Sequence, residues 1–198
     1  MRGRRVADGD ILVRGAEREQ VFTDIHAGVG WPDEQPGAIV VVGRRLDGRY
    51  HVLEERRGAM FEIAPAANEL AERLIVEIFH VDGSDRLASC FFRREMWSDH
   101  KSAGLKDHPV IAAVSDELPK HFGSALEQVR GLILTERALI NERLCPTLMY
   151  ALRQDFEFAL TSPVITAMVF GLMPLVDEGD GLPMTVVTGK RWYGNRER

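Results

Sequence analysis

The chain's hydrophobic patterning starts late. Residues 1–20 mix Arg, Asp, Gly and Glu with little periodicity and read as an arm with one short strand at residues 11–14. Regular alternation begins at Val21-Phe22-Thr23-Asp24-Ile25-His26, a strand whose period of two sets Phe22, Asp24 and His26 on one face. Residues 27–37 are rich in Gly and Pro and read as a loop. Ala38-Ile39-Val40-Val41-Val42-Gly43 is β-branched and almost unbroken, as in a strand covered on both faces. Asp47-Gly48 makes a hairpin turn, and Tyr50-His51-Val52-Leu53-Glu54 returns from it. Three antiparallel strands therefore open the domain.

Helical and extended patterns then alternate. Pro65 starts a helix with Ala67, Leu70, Ala71 and Leu74 on one face. Residues 75–82 form a buried strand, with Val76, Ile78, His80 and Asp82 on one face and Glu77 on the other. Residues 87–97 suit a helix and 110–114 a short strand. From Ser124 the spacing of Leu126, Val129, Ile133 and Ile140 is helical. Pro146 opens a helix through Leu152, and Pro163 opens a more apolar one. A Gly/Asp/Pro loop at 177–183, a strand at 184–187 and a basic tail close the chain. This order predicts an α/β fold with a mixed sheet flanked by helices. Ribonuclease H-like domains share it, with acids on their first and fourth strands. The expected organisation is an arm (1–20), a ribonuclease H-like domain (21–176) and a C-terminal loop and basic tail (177–198).

Composition narrows the function. With 198 residues, 45% hydrophobic and 28% charged, the chain has enough apolar surface for one packed core. A net charge of −5 excludes a polybasic, histone-like route to nucleic acid but leaves room for a local basic groove. Two cysteines, Cys90 and Cys145, are too few for a disulfide framework and read as buried, reduced thiols. The N-terminal arginines lack the apolar stretch of a signal peptide. The apolar run at 164–176 is shorter than the ~20 residues of a membrane span. These features predict a cytoplasmic protein without a membrane partner.

The candidate chemistry lies in the acids. A carboxylate in a buried strand costs several kcal/mol unless a partner or a metal neutralises it. Asp24 sits within the first strand and Asp82 ends the fourth. If those strands are neighbours, both carboxylates converge on one sheet edge and invite Mg²⁺ or Mn²⁺. Paired ions there clamp a phosphodiester for in-line attack by water. His26 and His80 flank that centre as candidate assisting groups. The plainer alternative makes Asp24 a partner of an arginine or of the following backbone, and Asp82-Gly83 a turn.

These residues bring a family into view. The chain resembles the C-terminal nuclease domain of the large terminase subunit of tailed bacteriophages over residues 21–176. Phe22-Thr23-Asp24-Ile25-His26-Ala27-Gly28 is similar to the family's first acidic strand, and the segments 37–43 and 47–54 to its hairpin. Phe79-His80-Val81-Asp82-Gly83 is similar to the strand ending in the second acid. Leu126-Glu127-Gln128-Val129-Arg130, Leu144-Cys145-Pro146-Thr147-Leu148 and Ala151-Leu152-Arg153 resemble the helical run before the final helix. The resemblance implies a metal-dependent endonuclease acting on double-stranded DNA during packaging, inside the host cytoplasm if phage-encoded. It also implies partners such as a separate packaging ATPase, a small terminase or a portal protein.

The sequence departs from the family at two places. Thr166 stands where the final helix would carry a third acid; Asp155, Glu157 and Asp177 are the nearest replacements. No GxxxxGK[ST] motor loop is present in these residues. Two readings stay open: a nuclease with Asp24 and Asp82 as catalytic metal ligands, or a catalytically degenerate module of the same fold that binds DNA or a packaging or capsid partner. An α/β enzyme of another class is the third. Arg44, Arg45, Arg56, Arg57, Lys190 and Arg191 are the candidate DNA contacts, with Arg93-Arg94 a further basic pair. Asp99-His100 and Asp107-His108 read as solvated loop, and Trp31 as a possible partner anchor.

Overall fold

A computed structural model describes residues 1–5, 11–14, 19–31, 36–102, 111–115, 121–154 and 156–176. Their spine is a twelve-residue strand, β3 (Glu19–Gly30). Along one edge it pairs antiparallel with β4 (Gly37–Arg45), which pairs with β5 (Tyr50–Gly58). The hairpin closes as the sequence predicts: Gly48 takes φ +78° and the Asp47 carboxylate accepts from the Arg49 amide at 3.1 Å.

The other edge of β3 is shared. Its first part pairs antiparallel with β2 (Ile11–Arg14), beyond which lies β1 (Arg2–Arg5). Its second part pairs parallel with β6 (Ile78–Asp82), followed by β7 (Ile111–Ser115). With β8 (Ala138–Ile140) parallel to β5, the main sheet runs β7-β6-β3-β4-β5-β8.

Helices cover both faces. On one, α1 (Met60–Leu74) and α2 (Arg86–Ser102) pack Ile63, Leu70, Leu74 and Phe92 against Ile25, Ile39, Val41, Phe79 and Val81. On the other, α3 (Phe122–Leu134), α4 (Pro146–Leu152) and α6 (Pro163–Leu172) pack Leu126, Leu148, Ile165 and Met168 against Val40, Val42 and Val52. A short α5 (Phe156–Thr161) precedes α6, and a 3-10 turn (Met173–Leu175) follows it. Burial of this apolar surface supplies the main drive to fold.

Several expectations change. The supposed loop after His26 is strand as far as Gly30, because α6 lies directly on the bare faces of Gly28 and Gly30. A bulge between Phe22 and Asp24 puts Phe22 in the α1-side core, so it does not share a face with Asp24 and His26. Val76 also belongs to that core and precedes β6, since Ile75 caps α1 in the left-handed region at φ +60°. α1 begins at Met60 and not at Pro65, with the Glu62 carboxylate accepting from the Ala59 amide at 2.8 Å. Ile140 is in a strand: α3 stops at Leu134, Glu136 turns the chain at φ +56°, and β8 follows. The short strand expected at 11–14 is present as β2, but the arm around it is not separate: residues 2–5 are also a strand, both belong to the sheet, and Ile11 and Val13 are buried. Cys145 is buried as expected, but Cys90 is exposed because Ala88 and Phe92 hold the inner face of α2.

Candidate functional site

β3 and β6 are parallel neighbours, as the two-acid expectation requires, but their register keeps the acids apart. His26 pairs with Ile78 and Val29 with Val81. Asp82, one residue on, therefore stands next to Gly30. Asp24 lies six residues before Gly30, which at ~3.3 Å per residue is about 20 Å along the strand. The structure does not bring Asp24 and Asp82 to one point, so a pair of ions ~4 Å apart cannot take both as ligands.

Each acid has its own surroundings. Asp24 is half-buried, follows a bulge, and accepts from the Thr23 hydroxyl at 2.8 Å. Asp82 is buried, and its carboxylate accepts from the Ser84 amide at 2.9 Å. Burial raises the Asp82 pKa, partly offset by the Ser84 hydrogen bonds. The turn role foreseen for Asp82-Gly83 is thus present.

The β3 position facing Asp82 leaves no space for a carboxylate. A Cβ on Gly30 would lie 2.7 Å from the Pro163 carbonyl oxygen and 2.9 Å from the Thr166 Cβ. One pleat back, a Cβ on Gly28 would overlap the Ala167 carbonyl. Thr166, where the resemblance places a third acid, packs over Gly30. The end of β6, the neighbouring part of β3 and the first turns of α6 thus bring together one carboxylate, a glycine and a threonine. These residues do not fit a two-ion centre. No cluster of three or more metal-ligating side chains occurs among the described residues.

The two histidines meet each other. His80 Nε2 lies 3.1 Å from His26 Nδ1, with ring centroids 5.0 Å apart. Burial lowers the His26 pKa against the opposing pull of Asp24. Burial, and secondarily His26, lower that of His80 to about 3. At neutral pH both rings are neutral, and one donates to the other. Sequence reading put both on the correct face without showing this contact, which follows from the one-strand diagonal of the β3–β6 register.

Most of the hairpin basics stand beside acids. Arg45 pairs with Asp47 at 3.5 Å. Arg56 pairs with the buried Glu54 at 2.8 Å and with Glu69 at 3.4 Å. Arg44 stands opposite Asp24 in the β3–β4 register. Arg57 is exposed, as is Arg93, while Arg94 pairs with Glu95. Trp31 is a core residue and not a surface anchor: it packs edge-on to Phe92 at 5.9 Å. Lys190, Arg191, Asp107-His108, Asp177 and the expected strand at 184–187 lie outside the described residues, as do the side chains of Asp99, His100, Asp155 and Glu157. No helix among the described residues is long and apolar enough to cross a membrane.

Comparison with known proteins places this architecture. The yeast mitochondrial Holliday junction resolvase Ydc2 superposes with a TM-score of 0.50 at 10% identity, over 73% of this chain and 75% of that one. The HK97 bacteriophage large terminase superposes with a TM-score of 0.54 at 14% identity, over 75% of this chain. The fold is ribonuclease H-like. The ribonuclease H-like chain matches only 39% of the HK97 terminase's length. The resemblance to a terminase nuclease domain read from the sequence agrees with this neighbour at the level of fold. No family model matches the sequence, and no curated protein does.

Proposed function

We propose that this chain is a ribonuclease H-like module that binds DNA and does not cut it through a centre built on Asp24 and Asp82. The observation carrying the proposal is Gly30: the strand position beside Asp82 has no side chain, and α6 fills the space one would need. The DNA part rests on two fold neighbours named as a resolvase and a terminase, and on exposed arginines such as Arg57 and Arg93 for phosphate contact. A packaging ATPase, small terminase or portal protein is the partner class that the resemblance read from the sequence implies.

Asp82 favours a second reading. Asp82 is buried at the end of β6, where the resemblance read from the sequence expects the second acid, and a metal-dependent endonuclease would use it as one ligand of Mg²⁺ or Mn²⁺. One experiment separates the readings. Duplex and four-way-junction DNA are tested for retardation in a gel, and supercoiled plasmid for nicking with Mn²⁺, using wild type, Asp24→Asn and Asp82→Asn. The proposal expects salt-sensitive retardation by all three and nicking by none. Chelator-sensitive nicking by wild type that Asp82→Asn abolishes would establish the nuclease. Absence of retardation on either DNA would remove the DNA-binding assignment.

A further inference from the structure

The hydrogen-bonded His26–His80 pair has a spacing close to that of two nitrogens sharing a metal ion. The two facing nitrogens, Nδ1 of His26 and Nε2 of His80, are 3.1 Å apart, and the ring planes are tilted by 44°. A zinc-like ion at ~2.0–2.1 Å from each of two nitrogens in a tetrahedral arrangement holds those nitrogens ~3.3–3.4 Å apart. A widening of a few tenths of an ångström therefore turns the contact into a two-nitrogen chelate. The β3–β6 pairing fixes the spacing of the two backbones that carry the rings, with Gly28 opposite His80 in the register. Preset ligands of this kind lose little freedom on binding.

We propose that His26 and His80 form a binding site for a d-block divalent cation of the Zn²⁺, Co²⁺, Ni²⁺ or Cu²⁺ class. Imidazole nitrogens select these ions over Mg²⁺ and Mn²⁺, which prefer oxygen. Each ring ligates as a neutral imidazole and keeps its single proton on the far nitrogen, so binding needs only a tautomer change in the ring that donated the hydrogen bond. Asp24 lies on the same face two residues from His26 and attracts charge placed there, which offsets part of the cost of burying a cation. Among the described residues no third ligand joins the pair, so water or an added ligand completes the shell. This site is separate from the end of β6 and stands or falls independently of DNA binding.

Metal-free protein is titrated with Co²⁺, whose visible d–d absorption reports nitrogen ligation, and then with Zn²⁺ to displace it. Wild type is expected to bind one equivalent, with Mg²⁺ unable to compete. His26→Gln and His80→Gln are each expected to weaken binding more than about tenfold, at least the loss caused by disturbing a ligand's supporting contacts. A measurement on wild type alone covers the chance that a variant misfolds: ¹⁵N resonances of His26 Nδ1 and His80 Nε2 are followed by NMR during Zn²⁺ addition. Both should shift together while the His51 resonances stay fixed. Absence of Co²⁺ absorption in wild type, undiminished binding by either folded variant, or no shift at these two nitrogens would overturn the site.

Discussion

Glu55 is buried and His80 largely shielded from water, and each has a partner distant in sequence. The Glu55 carboxylate accepts from the Thr147 amide at 2.8 Å and the Leu148 amide at 2.7 Å, closing the start of α4. Its neighbour Glu54 is also buried and is held by Arg73 at 2.7 Å and Arg56 at 2.8 Å. Neither role is legible in the local pattern, because the partners of Glu55 lie 92 and 93 residues away. His80 carries the residue-scale prediction. Its folded pKa of about 3 lies below the ordinary 6.5, so below pH 6.5 the unfolded chain takes up a proton that the folded one refuses. Stability should be full above pH 6.5 and decline as pH falls towards 3. Urea denaturation at stepped pH measures this, and His80→Gln should show a shallower decline than wild type. Parallel profiles for the two proteins would contradict a neutral, half-buried His80.

At the scale of elements, the decisive contact is α6 against β3. Gly28 and Gly171 bring the two backbones together: a Cβ on Gly171 would lie 2.8 Å from the Gly28 nitrogen. The glycines at 28 and 30 suggest a loop by composition, yet here they serve close packing of a helix on a strand. That explains why the strand's end was hidden from pattern reading, whereas the β4 run and the Asp47-Gly48 turn were plain. The apolar α6 was legible too, since a segment without charges has only the core to occupy. Gly28→Ala should destabilise by about 1–3 kcal/mol or more, because the clash is with backbone that cannot rotate away. Gly131→Ala is its counterpart: this glycine lies within α3 with nothing within 4 Å of a new Cβ. It should stabilise by roughly 0.5–1 kcal/mol. Thermal melting of the two variants, with Tm moving down for the first and up for the second, checks both signs; equal shifts would contradict the packing described.

For the whole molecule, element order carried most of the fold. Three leading strands, a helix, and strands alternating with helices sufficed to predict the mixed sheet flanked by helices. What order could not supply was the offset between β3 and β6, and the candidate site depends on it. From sequence, convergence of Asp24 and Asp82 was conditional on neighbouring strands; β3 and β6 are neighbours, but neighbouring strands meet at any register, and each residue of slip moves a side chain ~3.3 Å. The observed pairing of Val29 with Val81 sets Asp82 beside Gly30 and leaves Asp24 far up the strand. The central claim is therefore geometric, and a crystal structure grown with Mn²⁺, read from the metal's anomalous signal, tests it most directly. The account predicts that no manganese peak is liganded by both Asp24 and Asp82, with their Cα atoms about 20 Å apart. A peak bound by both carboxylates would contradict it.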